Sequence, residues 1–450
     1  MGTRLSELSA DFAASVPKLF SLSSVQMRCH WILGLLLWSS VVAAGDWPGW
    51  RGPAGNGIAT GDSYPTQWSA TEHVKWKTPL PGSAGSTPVV TGSLIVLTCA
   101  ERDANDQNGK NKVWGLNRET GEVLWKTEVG DEKPGKHKKG SGCNPSPVTD
   151  GQHVFVYFKS GDFAALDLKG QVLWHKNLQK EYGEDTLWWD LGTSPVLTDK
   201  HVIITVMQSA PSPSYIAAFD KTTGAVAWKV SRELPAPDEA NQSYSTPVVT
   251  KFEGEETLVI VGADHVTAHS AADGKELWRV GNLNPEQNKY FRSIASPAVG
   301  DGLVVAPYAR GTMLYGIKLG GSGDVTKSHV LWEKKDLSSD VPTPIVANDR
   351  VFVLTDKGVL ACLKSTSGDV VWESPLEKSR HAFSASPTLA GGNLYAIRED
   401  GKTFVAKAGD TFESVATNSL GDDVTVIASP VFVDGQILIR TFDGLYCIVK

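Results

Sequence analysis

Cysteine is scarce in this chain, at five in 450 residues, and no two are adjacent. No CxxC and no paired Cys/His spacing occurs, so neither a disulfide framework nor a zinc site carries the fold. Basic charge is not in excess. Lys plus Arg is 43 against 50 Asp plus Glu, a net charge of −7, which excludes the cationic field of a general nucleic-acid binder. Charges form no long block, so there is no acidic or basic tail. No stretch reaches the roughly 20 apolar residues of a membrane span. Phosphate-loop, dinucleotide, Gly-x-Ser-x-Gly and His-Glu-x-x-His signatures are missing from usable positions. What is present is 41% hydrophobic residues, 44 glycines and 15 tryptophans, enough for a large core.

The beginning of the chain reads as an address. Residues 31–44, WILGLLLWSSVVAA, follow Arg28 and His30, and Val42 and Ala44 fit the −3 and −1 positions of a cleavage site. A signal peptide over 27–45 is expected, with an uncleaved anchor as the competing reading. Met27 offers a second start, which would make 1–26 an over-extended beginning. Cys29 precedes the apolar run, the wrong side for a lipidated terminus. An exported protein follows, periplasmic or secreted at the cell envelope, with no span in the mature chain. Residues 46–71 form a lead segment in which Trp47 is expected to be peripheral.

A repeat dominates the rest. A Ser/Thr-Pro step recurs at Pro88, Pro147, Pro195, Pro247, Pro297, Pro344, Pro387 and Pro430. The mean spacing is about 49 residues, the range of propeller blades rather than solenoid coils. Each step precedes a β-branched run, such as HVFVYF (153–158) or HVIITV (201–206), and then a short strand with a small residue. Gly-x-x-x-Trp closes most units, as in Gly121 to Trp125 and Gly274 to Trp278. Four short strands per unit predict an all-β, eight-bladed β-propeller of antiparallel blades over 72–450, a single domain. The eighth unit stops at Lys450 without its Trp strand, whereas His73–Lys77 precedes the first Ser/Thr-Pro. The N-terminal strand should therefore complete the last blade and remove the open edge. Trp76, Trp125, Trp174, Trp228, Trp278, Trp332 and Trp372 are expected to dock neighbouring blades. Unit seven has no Trp.

These Ser/Thr-Pro steps and Gly-x-x-x-Trp closures resemble the pyrroloquinoline-quinone-type repeat family of eight-bladed propellers, over about 75–450. The opening DWPGWRGP (46–53) is similar to the head of secreted planctomycete-type members. The resemblance implies the fold. It leaves function divided between scaffolds, such as the lipoprotein propeller of the outer-membrane β-barrel assembly machinery, and quinone-dependent alcohol and sugar dehydrogenases. Those enzymes use a vicinal Cys pair, calcium on Glu/Asn/Asp and a Trp stacked on the quinone. The vicinal pair is missing here, and only Trp188-Trp189-Asp190 could supply a ring beside a carboxylate.

The loops before each Ser/Thr-Pro should line one mouth of the central channel, and they hold Trp188, Trp189, Asp190, Tyr244, Tyr290, Arg292, Arg380 and His381. A concave mouth with converging polar groups is the default binding site. Arg292 and Arg380 are its natural anchors, with planar donor forks. His381 is a general-base candidate without a placed carboxylate. His137-Lys138-Lys139 reads as a solvated basic loop, with an anion contact as the alternative. Cys362 and Cys447 read as inert packing thiols. Cys99 and Cys143 could meet, as a disulfide or as free thiols. The leading expectation is a monomeric, non-catalytic scaffold for an envelope protein, peptide or glycan, without metal or cofactor. A dehydrogenase using pyrroloquinoline quinone and calcium is the alternative.

Overall fold

The computed structural model describes residues 45–102 and 109–450. The expected signal peptide and early start lie, up to residue 44, outside the described residues. Eight sheets follow one another along the chain. Blade 1 spans 89–131, blade 2 148–177, blade 3 196–231, blade 4 248–280, blade 5 298–335, blade 6 345–375 and blade 7 388–418. Each holds four antiparallel strands in chain order. Blade 4 gains a fifth short strand, Gly323–Asp324, paired in parallel with the Trp278 strand. Blade 8 takes three strands from 431–448 and its outermost strand, Val74–Pro79, from the other end of the chain. That pairing closes the ring, because each end supplies what the other lacks. No helix among the described residues is long and apolar enough to cross a membrane.

The repeat residues interlock in two layers. On the outside, six indole N–H groups donate to backbone carbonyls of the next blade at 2.7–3.2 Å, from Trp76 to Arg118 O through to Trp372 to Gly409 O. The rings of five of them, Trp76, Trp125, Trp174, Trp228 and Trp332, lie over the next blade's turn glycine. A Cβ on Gly121, Gly170, Gly224, Gly274 or Gly368 would stand 2.5–2.8 Å from the preceding blade's indole, and their φ values lie between +68° and +84°. Only glycine meets both demands. Trp278 makes no such bond and is the most buried of the seven, at 1% exposure.

Within each blade the small residue of the third strand faces the Trp of the fourth. The pairs include Gly115 with Trp125, Ala218 with Trp228, Cys362 with Trp372 and Cys447 with Trp76. Blade 7 inverts the sizes, Val405 facing Ala416. Trp68 of the lead segment joins the same core cluster, stacked on Tyr395 at 6.5 Å.

On the inside, the Ser/Thr of each Ser/Thr-Pro step links neighbouring blades. Thr87 N–H donates to Ser146 Oγ, Ser146 N–H to Ser194 Oγ, and so on through Thr246, Ser296, Thr343, Ser386 and Ser429, at 2.8–3.1 Å. Proline follows each because that position has no ladder bond to make toward the channel.

Trp47 is not peripheral. It is 1% exposed, exchanges both backbone bonds with Val90 at 2.9 Å and packs near Phe432. Sequence offered no sign of this, because the lead segment does not repeat. Arg51, 4% exposed, donates to Pro387 O at 2.8 Å and Pro344 O at 3.1 Å across the channel. Further on, Ala59 N–H donates to Leu389 O, and Leu389 N–H to Gly57 O. The lead segment thus runs around the channel mouth at the far end of the inner strands. All four described cysteines are buried free thiols, so Cys99 and Cys143 are not bridged.

Candidate functional site

The loops entering the inner strands meet at the channel's other mouth. Asp190 is the hub of one half. Its carboxylate accepts from Lys159 Nζ at 2.5 Å and from the backbone N–H groups of Lys136 (2.7 Å) and His137 (3.0 Å). Both partners of the ion pair are buried. Gly140 is required beside it, since a Cβ there would stand 1.9 Å from Asp190. Asp190 is therefore a tie between two loops rather than a group offered to a ligand.

The neighbouring rings are held outward. Trp188 N–H donates to Gln242 Oε1 at 2.8 Å, Trp189 N–H to Tyr244 Oη at 3.2 Å, and Trp189 Nε1 to Glu239 Oε1 at 2.8 Å. Tyr244 is buried, and its hydroxyl donates to Gln242 Oε1 at 2.9 Å. Burial pushes that phenol well above its usual range. The result is a fixed backbone carrying Trp188 and Trp189 at 49% and 43% exposure. Tyr290 is 48% exposed, with Lys289 Nζ 5.2 Å from its ring centre.

Arg292 is not a free anchor. It is 7% exposed, and its fork is closed on Asp340 by two 2.9 Å bonds, with Glu239 at 3.5 Å. Asp340 enters blade 6 and Arg292 enters blade 5, so the pair ties neighbouring blades. Arg380 is exposed, and its Nε donates to His381 Nε2 at 3.3 Å. These two share no hydrogen bond, ion pair or ring contact with the Trp189–Glu239–Arg292 group among the described residues. Among the described residues no carboxylate hydrogen-bonds His381, so the general-base geometry is missing there. The basic loop is only partly solvated, since Lys139 Nζ reaches Glu399 Oε1 of blade 7 at 2.6 Å. Below the mouth a cavity of about 220 Å³ runs down the channel, lined by Trp189 and Tyr244, by the Ser/Thr ring and, at its floor, by Trp50.

Sequence reasoning missed Lys159, Glu239, Gln242 and Asp340. Lys159 alone left a trace, a single charge at the end of the apolar run HVFVYF. The arrangement has rigid aromatic surface and mutually satisfied charges, with no assembled nucleophile and base.

Comparison with known proteins agrees with the blades. The profile of the family described as "Outer membrane protein assembly factor BamB" matches residues 34–229, 215–323 and 324–412. The curated outer membrane protein assembly factor BamB of Yersinia pestis is 24% identical over 343 residues, covering 74% of this chain and 79% of that protein. Among solved structures, BamB of Moraxella catarrhalis superposes with a TM-score of 0.57 at 15% identity, over 83% of this chain and 99% of that one. A europium-containing methanol dehydrogenase gives 0.64 at 12% identity, over 89% and 90%. The quinohemoprotein alcohol dehydrogenase of Comamonas testosteroni gives 0.64 at 13% identity, over 90% and 80%. These three likenesses show the fold alone. The profile spans most of the blades, and the chain belongs to the family of the outer membrane protein assembly factor BamB.

Proposed function

We propose that this protein is an exported scaffold of the cell envelope that binds a protein or peptide segment on its aromatic channel mouth and carries out no catalysis. One observation carries the reading. Among the described residues, the exposed large aromatic side chains are Trp188, Trp189 and Tyr290, and all three stand at this mouth. The other exposed large apolar residues, such as Leu124 and Leu173, are aliphatic and lie on outer strands. Rigid aromatics offer large contact area at small entropic cost, which is why they dominate protein interfaces. The relatives named as outer membrane assembly factors favour an envelope protein as partner over a glycan.

The quinone reading fares worse on chemistry. The carboxylates beside the Trp pair are already spent, Asp190 on Lys159 and Glu239 on Trp189 Nε1 and Arg292. No group of three or more His, Cys, Asp or Glu side chains among the described residues is placed to hold a metal ion. The residues do not fit calcium-held quinone.

Photo-crosslinking in intact cells tests the proposal. A photoreactive residue replacing Tyr290 should give a discrete adduct with an envelope protein, and one replacing Leu124 should not. Equal adducts from both positions, or a glycan adduct at 290, would overturn it.

A further inference from the structure

The mouth opposite the aromatic one contains a second cavity, of about 530 Å³, between the lead segment and the inner strands of blades 2, 3 and 4. That volume lies in the range of binding sites rather than packing defects. Its wall is largely apolar: Pro48, Trp50, Pro195, Leu197, Pro247 and Val249.

The chain itself shows what such a wall takes. At the second residue after the motif proline, the backbone of the inner strand turns its N–H and C=O away from its own sheet. Val90 in blade 1 uses both groups on Trp47, and Leu389 in blade 7 uses both on Gly57 and Ala59. Thr149 in blade 2 donates to Pro48 O at 2.8 Å. The lead segment therefore makes a backbone pairing at this position with blades 1, 2 and 7. Leu197 and Val249 are the same positions in blades 3 and 4. Leu197 pairs with Val202 as Val90 pairs with Ile95, so its free edge faces the same way. Both residues line the cavity, both are half-buried, and among the described residues no other backbone segment pairs with either. An unpaired edge against an apolar wall is a template for an added strand.

We propose that this cavity binds an extended peptide segment of a partner chain, which continues the path of the lead segment by pairing with Leu197 and Val249. Its apolar side chains would rest on Trp50 and the two prolines. The proposal concerns the face opposite Trp188, and it stands or falls independently of the aromatic mouth.

The probe is a fluorescent alternating Val/Thr hexapeptide, titrated by anisotropy against the purified full chain. Its control is the same peptide with alternate backbone amides N-methylated, which keeps the side chains and removes the donors. Saturable binding is expected, weakened at least tenfold by N-methylation. Val249→Pro deletes the N–H that faces the cavity, where proline is tolerated on a strand edge. It should weaken binding at least tenfold with the melting temperature retained. If that variant fails to fold, Val249→Trp fills the cavity instead and should abolish binding. Trp188→Ala/Trp189→Ala should bind the probe normally. No saturable binding, or equal binding of the methylated peptide, overturns the proposal, as does loss of binding in the Trp188/Trp189 variant alone.

Discussion

Replacing Trp47 by Ala should unseat the lead segment. The indole is 1% exposed and lies at the junction of blades 8 and 1, against Phe432 and over Gly52. A buried Trp removes about 150–250 Å² from water, or roughly 4–6 kcal/mol at 25 cal/mol per Å². Measured Trp truncations cost about 3–5 kcal/mol, since neighbours partly collapse. One term runs the other way. Trp47 Nε1 is buried without a partner, and deleting it recovers about 1 kcal/mol of desolvation. The net expectation is a loss of about 2–4 kcal/mol. At about 1.2 °C per kcal/mol for a domain of about 400 residues, melting should fall by about 2–5 °C in scanning calorimetry. The control is Trp188→Ala, 49% exposed, which should move melting little. Limited proteolysis adds a local readout, with new cuts expected between residues 46 and 60 in the Trp47 variant. Equal melting shifts in the two variants would refute the reasoning, and so would a Trp47 variant that melts like wild type.

Other positions separate similar-looking residues. Thr343→Val strands the Ser296 N–H that donates to its hydroxyl at 2.9 Å and should cost about 1–3 kcal/mol by chemical denaturation, whereas Thr87→Val, whose hydroxyl has no partner, should be nearly neutral. Equal costs would deny the inner ring any energetic role. Arg292→Ala removes the cation that closes on Asp340 and leaves Glu239 only the longer contact with Arg310, so it should cost about 3–5 kcal/mol, whereas exposed Arg380→Ala should stay within about 0.5 kcal/mol. A neutral Arg292 variant would reopen its reading as a binding anchor. The pH dependence contains two opposed contributions. Burial pushes the Asp356 carboxyl up to about 6, so its contribution favours the fold at low pH and is lost as pH rises through about 6. Burial holds His269 down to about 4, so its contribution is present above the ordinary histidine range and is lost as pH falls through 4. Asp356→Asn should therefore leave melting that rises between pH 4 and 6.5, and His269→Gln melting that falls over that window. The same slope in both variants would contradict the assignment.

The architecture was legible because it repeats. Eight copies of one pattern average out local ambiguity, and the single unit lacking its Trp strand points directly to closure by Val74–Pro79. The site was legible in its location and not in its chemistry. Trp188, Trp189 and Tyr290 stand where the loops put them, but exposure depends on partners elsewhere in the chain. Arg292 is neutralised by Asp340, 48 residues later, and Asp190 by Lys159, 31 residues earlier. Neither pairing has a sequence period. The lead segment was opaque for the same reason. Trp47, Arg51 and Trp68 fill places that the repeat leaves vacant, and a place defined by absence has no motif. Blade 7 shows the compensation most clearly: Val405 occupies the small-residue slot because Ala416 stands opposite where a Trp would be.

The junction of blades 8 and 1 is where the closed ring departs most from its own repeat. Seven hydroxyl links join successive blades, and among the described residues no eighth link runs from Ser429 to Thr87, whose Oγ1 has no partner. Arg440 stands in its place. This fully buried side chain of blade 8 donates from Nη1 to Ser86 O at 3.0 Å and to Ser86 Oγ, and from Nη2 to Thr98 O at 2.7 Å. Among the described residues no carboxylate accompanies it, and burial lowers its affinity for the proton. A cation bonded only to neutral oxygens and the Cys99 thiol, at 3.8 Å, is an expensive joint, since desolvation is repaid by hydrogen bonds alone. It suits this position because the junction is assembled from both ends of the chain. A hydroxyl link has short reach and forms only between blades already in register. A guanidinium on a long stem spans a wider gap and offers five donors to carbonyls that are present whatever the side chains. The outer strand, Trp47 and Arg440 then bind one junction at three depths. The two chain ends are thus fastened to each other at several depths, around the one gap in the ring that no peptide bond spans, which lies inside blade 8 between the strands of Ile448 and Val74.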